Sequence, residues 1–306
     1  MLRRTFVKNL SAAAGVAALG GLSRVTAAPP KNTFKLRYAP HLGMFDNLGG
    51  KDLYKQIEFM ADQGFRALED NGMTGRSAEE QTKMGDLLNK LGMEMGVFVL
   101  HKGGNGANTL AAGKKEHLDI FLKGCQNAIE VAKRCRTKYT TVVPGDFQRN
   151  LPIGIQTGNV IDALRRGAEM LEPHGLIMVL EPLSDTPDLY LRTSDQTYEI
   201  CRAVNSPSCK ILFDIYHMQK NEGHIIPHID WAWNEIGYFQ MGDNPGRNEP
   251  GSGEINYQNI FKHIYKKMKA TNRDFIFGME HGISVGGAEG EKKLIEAYKW
   301  ADNFTV

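Results

Sequence analysis

Short runs of β-branched and aromatic residues alternate along the chain with longer segments whose apolar residues recur at helical spacing. The short runs lie at 34–40, 65–70, 94–101, 139–144, 176–182, 210–215, 236–241 and 275–280, and each predicts a strand. Helices are predicted near 51–63, 76–92, 113–136, 156–173, 193–204, 227–234, 257–271 and 289–302, the segment at 227–234 being short. A strand followed by a helix, repeated around the chain, predicts an α/β fold: a (β/α)8 TIM barrel in a single domain. A doubly wound open sheet would usually show a Gly-rich phosphate fingerprint after an early strand, and "HLGMFDNLGGKD" does not fit it.

In such barrels the chemistry gathers where the strands end. The predicted strands end in polar residues: Glu69, His101, Glu181, Asp214, Gln240 and Glu280. Apolar runs such as "LIMVL", "KILF", "IGYF" and "FIFGM" precede the last four. A carboxylate ending a buried strand is costly unless it is paired or bound to a cation. Strand ends that close into one ring converge, so Glu181, Asp214, Gln240 and Glu280 are candidates to meet at a point. Oxygen donors of this kind suit Mg²⁺ or Mn²⁺, with Co²⁺ or Zn²⁺ as further candidates. Three carboxylates and an amide around a divalent cation carry a charge of about −1, so an anionic substrate would need extra positive groups. Arg247 stands in position for that, in the loop "FQMGDNPGRNEPGSGEINY" (239–257). Asp243, Glu249 and Glu254 of that loop read as scaffold, pairing with Arg247 or accepting backbone N–H bonds in a Gly/Pro frame.

The strings "EPLSDTPDLYLRTSDQ" (181–196), "FDIYHMQKNEG" (213–223) and "GDNPGRNEPGSGEINY" (242–257) resemble the hydroxypyruvate isomerase family, a branch of the xylose-isomerase-like TIM barrels. The resemblance implies metal ligands at Glu181, Asp214, Gln240 and Glu280, with Glu181 and Glu280 also the catalytic acid/base pair. It further implies substrate contacts at His217 and Arg247. Glu69 and His101 join these as rim residues that shape the substrate pocket, as do His41 and Lys102. The implied reaction moves a carbonyl between adjacent carbons of a small hydroxy-keto acid or sugar through an enediolate. Pocket segments depart from the family pattern, notably "EPLSDTPD" after the fifth strand, "EHGIS" after the eighth and "HKGGNGANT" after the third. These departures imply retained metal chemistry with a changed substrate.

The N-terminus changes the picture of location rather than of fold. Residues 1–27 have a basic start with Arg3 and Arg4, a weakly apolar stretch and a small-residue end, and resemble a twin-arginine (Tat) export signal. On that reading 28–33 is a short linker, 34–306 is the barrel, and the mature chain of about 279 residues is periplasmic. Removing Arg3, Arg4, Lys8 and Arg24 with the signal moves the formal charge from +2 to −2. A near-neutral chain carries no electrostatic footprint for nucleic acid, and no second apolar run is long enough to span a bilayer. Cys125, Cys135, Cys201 and Cys209 form no C-x-x-C pair, and a chain of this length has core enough to keep them as buried free thiols. The expected partner is a small molecule, with a homo-oligomer possible in this architecture.

Three other readings share the pattern. A ketose 3-epimerase or a 3-keto-glycoside lyase would use the same metal and proton abstraction. A non-catalytic periplasmic sugar-binding barrel would be expected to have lost part of the ligand set, all of which is present here. An endonuclease of this fold would need several zinc-binding histidines and a basic track, both absent from the sequence.

Overall fold

The computed structural model describes residues 30–104 and 107–306. The expected export signal, residues 1–27, lies outside them. The chain runs β1 (Arg37–Ala39), α1 (Leu53–Asp62), β2 (Ala67–Leu68), α2 (Ala78–Lys90), β3 (Glu94–Met95), β4 (Val99–Gly103), α3 (Lys115–Cys135), β5 (Tyr139–Pro144) and α4 (Ile153–Leu171). It continues with β6 (Ile177–Leu180), α5 (Ser194–Val204), β7 (Cys209–Asp214), α6 (Ile215–Asn221), α7 (Ile225–Ala232), β8 (Ile236–Gln240), α8 (Tyr257–Thr271), β9 (Ile276–Gly278) and α9 (Gly287–Asp302).

All strand pairings are parallel. One sheet has the order β1-β9-β8-β7-β6-β5-β4, and β2 pairs with β3. A parallel bridge between His41 and Glu69 links the end of β1 to the end of β2. The ring is thereby closed, and the expected (β/α)8 barrel is the fold.

The single strand expected at 94–101 is split into β3 and β4. Gly96 lies at the break, where an added Cβ would come within 2.3 Å of the Tyr238 hydroxyl. Tyr238 fills the barrel lumen together with smaller aliphatic side chains from around the ring: Ala39, Ala67, Val97, Val179, Leu212 and Ile276. One large ring therefore occupies the middle, and the facing backbone gives way to it. A much larger apolar cluster fills the space between the strands and the helices.

The lumen layer fixes where the strand ends point. Side chains two positions apart share a face of a strand. Val179 in the lumen puts Glu181 there; Leu212 does so for Asp214, Tyr238 for Gln240, Ala67 for Glu69 and Ile276 for Gly278 and Glu280. Short apolar strands thus end in a polar layer directly above the hydrophobic one.

β4 breaks this alternation. Its register against β5 shifts between Val99 and His101, and a one-residue slip exchanges the two faces of a strand. His101 consequently packs edge-on against Phe121 of α3, ring centroids 5.4 Å apart, and its Nε2 is bonded to the Asn108 carbonyl at 2.9 Å. The reading of His101 as a substrate contact is therefore corrected: the slip turns it toward the helix layer and turns Lys102 toward the mouth.

Helix α6 was not anticipated. It starts at Asp214, whose Oδ1 accepts the Tyr216 N–H at 2.8 Å as its N-cap. The expected linker is tied down from Lys31 onward: the Lys31 N–H and the Asn32 side chain donate to the carbonyls of Asp62 and Gln63 at the end of α1, each at 2.7 Å. All four cysteines are buried and unpaired.

Candidate active site

Glu181, Asp214, His217 and Glu280 converge at the mouth of the barrel. Each offers a ligand atom, and these atoms lie within 4.8 Å of one another. Asp214 and His217 are fully buried, Glu181 is nearly so, and Glu280 is the most open of the four. Gln240 adds an amide from β8 as the fifth group, and Glu69, just past the end of β2, adds a carboxylate as the sixth. The Gln240 Nε2–H donates to Glu69 Oε1, which turns the amide oxygen of Gln240 away from Glu69.

The donor set fits a divalent cation on an independent observation. Glu69 Oε2, Glu181 Oε1 and Gln240 Oε1 are buried with no hydrogen-bond partner among the described residues. Buried oxygens left without donors are strongly disfavoured unless something positive faces them. All three are acceptors, as hard-cation ligands must be.

Burial governs the proton affinities here. It raises the pKa of Glu181, and the neighbouring charges of Glu280 and Asp214 add to the effect. Glu69 is raised by burial and then by Glu280, and Glu280 by burial and then by Asp214. Asp214 is pushed up to about 6 by burial, against the opposing pull of Arg247 and of backbone N–H donors. The ordinary value is 3.8, so between these pH values the folded state binds more protons than the unfolded one. The contribution of Asp214 to the stability of the metal-free protein therefore falls as pH rises through that window. A bound cation favours the ionised form. The expected result is that Mn²⁺ raises the Tm more at pH of about 7.5 than at about 5. A shift that is equal at the two pH values, or larger at the lower one, would contradict the site.

His217 has a defined tautomer. Its Nδ1 lies 3.2 Å from the Ser184 N–H and 2.8 Å from Ser184 Oγ. A backbone N–H can only donate, so Nδ1 is the unprotonated nitrogen and the neutral ring carries its proton on Nε2. Burial, helped by Arg247, lowers the His217 pKa to about 3, so the ring is neutral. Its Nε2–H points toward Asp214 Oδ2 at 3.6 Å and Glu181 Oε1 at 3.9 Å. In this tautomer it offers a hydrogen-bond donor, whereas Gln240 offers an oxygen.

Arg247 arches over the cluster. Its Nη2 lies 2.7 Å from Glu280 Oε2 and 3.4 Å from Asp214 Oδ2, its Nε donates to the Glu280 carbonyl at 3.1 Å, and its guanidinium stacks over Tyr216. Asp243 is the scaffold of its loop: its two carboxylate oxygens accept the N–H groups of Asn244, Ile255, Gly251 and Gly253 at 2.8–3.0 Å. Glu249 ties the loop to the N–H and hydroxyl of Ser284, and Glu254 accepts from Gln219 at 3.4 Å. His281 is stacked on Tyr298 and bonded to its hydroxyl at 2.7 Å, buried beside the site rather than in it. Asn71, which donates to Glu280 Oε1 at 2.8 Å, was missed from the sequence; its place just past the end of β2 was the available signal.

The barrel topology and the acid cluster at its rim agree with a match to the xylose isomerase-like TIM barrel model over residues 57–304. The chain belongs to the xylose isomerase-like TIM barrel family. Within this family it is 31% identical to hydroxypyruvate isomerase of Escherichia coli over 234 residues, covering 75% of this chain and 88% of that protein. It is 33% identical to 2-oxo-tetronate isomerase of Pectobacterium atrosepticum over 151 residues, 49% of this chain and 58% of that protein. Among solved structures, the family fold is shared with 3-keto-D-glucoside 4-epimerase from E. coli at a TM-score of 0.70 and 17% identity, covering 88% of this chain and 100% of that one. The chain is thus a metal-site-containing barrel homologous to hydroxypyruvate and 2-oxo-tetronate isomerases. Among the described residues, no helix of this family member is long and apolar enough to cross a membrane.

Proposed function

We propose that this protein is a metal-dependent isomerase that moves a carbonyl between adjacent carbons of a small hydroxy-keto acid or sugar. The observation that carries the proposal is the set of unpartnered buried oxygens of Glu181 and Gln240 beside Asp214 and Glu280. Glu181, Asp214, Gln240 and Glu280 would hold the cation, with Mg²⁺ and Mn²⁺ the best fit to an all-oxygen set. When bound, a divalent cation supplies stabilisation of the negative charge that develops on the carbonyl and neighbouring hydroxyl oxygens.

The remaining chemistry falls to the side chains. A carbonyl shift removes a proton from the carbon bearing the hydroxyl; the C–H electron pair becomes the C=C of an enediolate. A proton is then delivered to the former carbonyl carbon, and the hydroxyl proton passes between the two oxygens. Glu181 and Glu280, on strands separated by β7 and β8, serve as the base and acid on either side of the substrate. Their raised proton affinities suit groups that take a proton and return it. The Nε2–H of His217 donates to a substrate oxygen as charge grows there. Arg247 fixes the substrate from above.

The test is proton exchange. The Mg²⁺-loaded protein in D₂O, given a panel of α-hydroxy-carbonyl compounds, is expected to place deuterium on the carbon next to a carbonyl and to yield the isomer, both read by NMR. Tight binding of a sugar without exchange would instead favour a binding barrel. Residues 1–27 we read as a Tat signal that sends the barrel to the periplasm, on the strength of the Arg3–Arg4 pair, the weakly apolar stretch and the small-residue end.

A further inference from the structure

Helix α6 starts at Asp214 in the carboxylate cluster, and a second group of ligand-type side chains gathers at its other end. Glu222 closes α6. Its Oε2 accepts the Ser194 N–H at the start of α5 at 2.9 Å, and Ser194 Oγ lies 3.2 Å from its Oε1. The Nδ1 of His228, on α7, lies 3.9 Å from the same Oε2, a separation beyond hydrogen-bond range. His228 Nδ1 is buried and has no hydrogen-bond partner among the described residues. A buried nitrogen in that state calls for something to face it. His224 caps α7 one turn earlier: the His228 N–H donates to its carbonyl at 3.2 Å, and the two ring centroids are 5.6 Å apart.

Two imidazoles and a carboxylate are a different donor set from the oxygens at the mouth. Imidazole suits zinc and its neighbours rather than Mg²⁺ or Mn²⁺. A tetrahedral zinc ion with nitrogen and oxygen ligands holds two ligand atoms about 3.3–3.6 Å apart. Glu222 Oε2 and His228 Nδ1 therefore need only a slight approach to share an ion. Both side chains are largely buried, at 12% and 19% exposure, which holds them in place. His224 is exposed, and its ring has room to turn toward the pair. Histidines one helical turn apart are a common zinc pairing. The Ser194 N–H and hydroxyl supply the outer hydrogen bonds that aim a ligating carboxylate.

We propose that Glu222, His224 and His228 form a second metal site, for zinc, where α5, α6 and α7 meet. Glu222 and His228 hold the ion, His224 turns in as the third protein ligand, and water completes the shell. The site is structural: it braces α6 at the end opposite Asp214 and His217, and ties it to the start of α5 and the first turns of α7. It stands whether or not the isomerase reading does.

The experiment counts zinc. The full chain is dialysed against micromolar Zn²⁺ in excess Mg²⁺, and bound zinc per chain is measured for the parent, His228→Phe and His224→Ala. Zinc can also enter the mouth, so the comparison between proteins assigns the ion. The parent is expected to hold one more zinc per chain than His228→Phe, and to gain more in Tm from zinc. His224→Ala, a change at an exposed residue that leaves the fold intact, is expected to bind that ion at least about tenfold more weakly. Anomalous scattering at the zinc edge from crystals of the parent is expected to place the ion between Glu222 and His228. Equal zinc counts in the parent and His228→Phe, or scattering at the mouth alone, overturn the site. So does a millimolar affinity, which marks an adventitious ion only. An unchanged affinity in His224→Ala overturns the three-ligand site. Metal-free Tm values check the folding of both variants, and His224→Ala with the scattering decides the matter if His228→Phe does not fold.

Discussion

Glu181→Gln is expected to slow proton exchange by about 10²–10⁴-fold at saturating Mg²⁺, and Glu280→Gln by a similar factor. The amide keeps the shape of the side chain and an oxygen that can still face a cation, but it cannot take up and return a proton. Saturating metal matters because each change also removes one negative charge from the ligand set and weakens cation binding. Measuring the rate across a metal titration separates the two effects. Folding should not suffer. Glu181 is buried with an oxygen that lacks a partner, and its raised pKa states that the folded protein already disfavours its charge. The metal-free Glu181→Gln protein should therefore have a Tm equal to or above that of the parent. Near-native exchange by either variant would remove that glutamate from the acid/base pair. A collapsed Tm would instead mark it as structural.

Much of this site could be read from the chain because a barrel converts sequence parity into position. Where a strand keeps strict alternation, the residue two beyond a lumen side chain is also in the lumen. Glu181, Asp214, Gln240 and Glu280 follow that rule, and the apolar runs before them made the rule visible. His101 failed because the rule failed: the register slip in β4 carries no marker in "EMGVFVLH". The tautomer of His217 depends on Ser184, distant in sequence, and became readable only once β6 and β7 lay side by side. The loop at 239–257 was legible in its roles because an acid in a Gly/Pro frame has backbone N–H groups nearby to accept from. Helix α6 was hidden because Asp214 serves at once as a strand end and as an N-cap.

Gly278→Ala is expected to impair both metal binding and stability, because the added methyl group would enter the carboxylate cluster. Gly278 is the lumen-facing residue between Ile276 and Glu280, at a place where every neighbouring strand carries a side chain. An added Cβ would lie 1.8 Å from Glu69 Oε2, 2.7 Å from Glu69 Cδ and 2.9 Å from Gln240 Cγ. The missing side chain is thus the space in which the Glu69 carboxyl lies, and that carboxyl holds the Nε2 end of Gln240. Filling the space displaces Glu69, frees the Gln240 amide to rotate and blurs which of its ends faces the cluster. Outer groups that orient a ligand typically contribute 10- to 100-fold in metal affinity, so a loss of about that size is expected for Mn²⁺ by calorimetry. Overpacking should also lower stability by about 1–3 kcal/mol, measured by urea denaturation of the metal-free protein. The double variant Glu69→Ala/Gly278→Ala divides the two effects. With the carboxyl gone the main clash is removed and only the closer approach to Gln240 Cγ remains, so stability should recover in large part, while Gln240 still lacks its partner and Mn²⁺ affinity should stay low. Recovery of both would reduce Glu69 to packing. An unchanged Mn²⁺ affinity in the single variant would show that Gln240 does not depend on Glu69 for its aim.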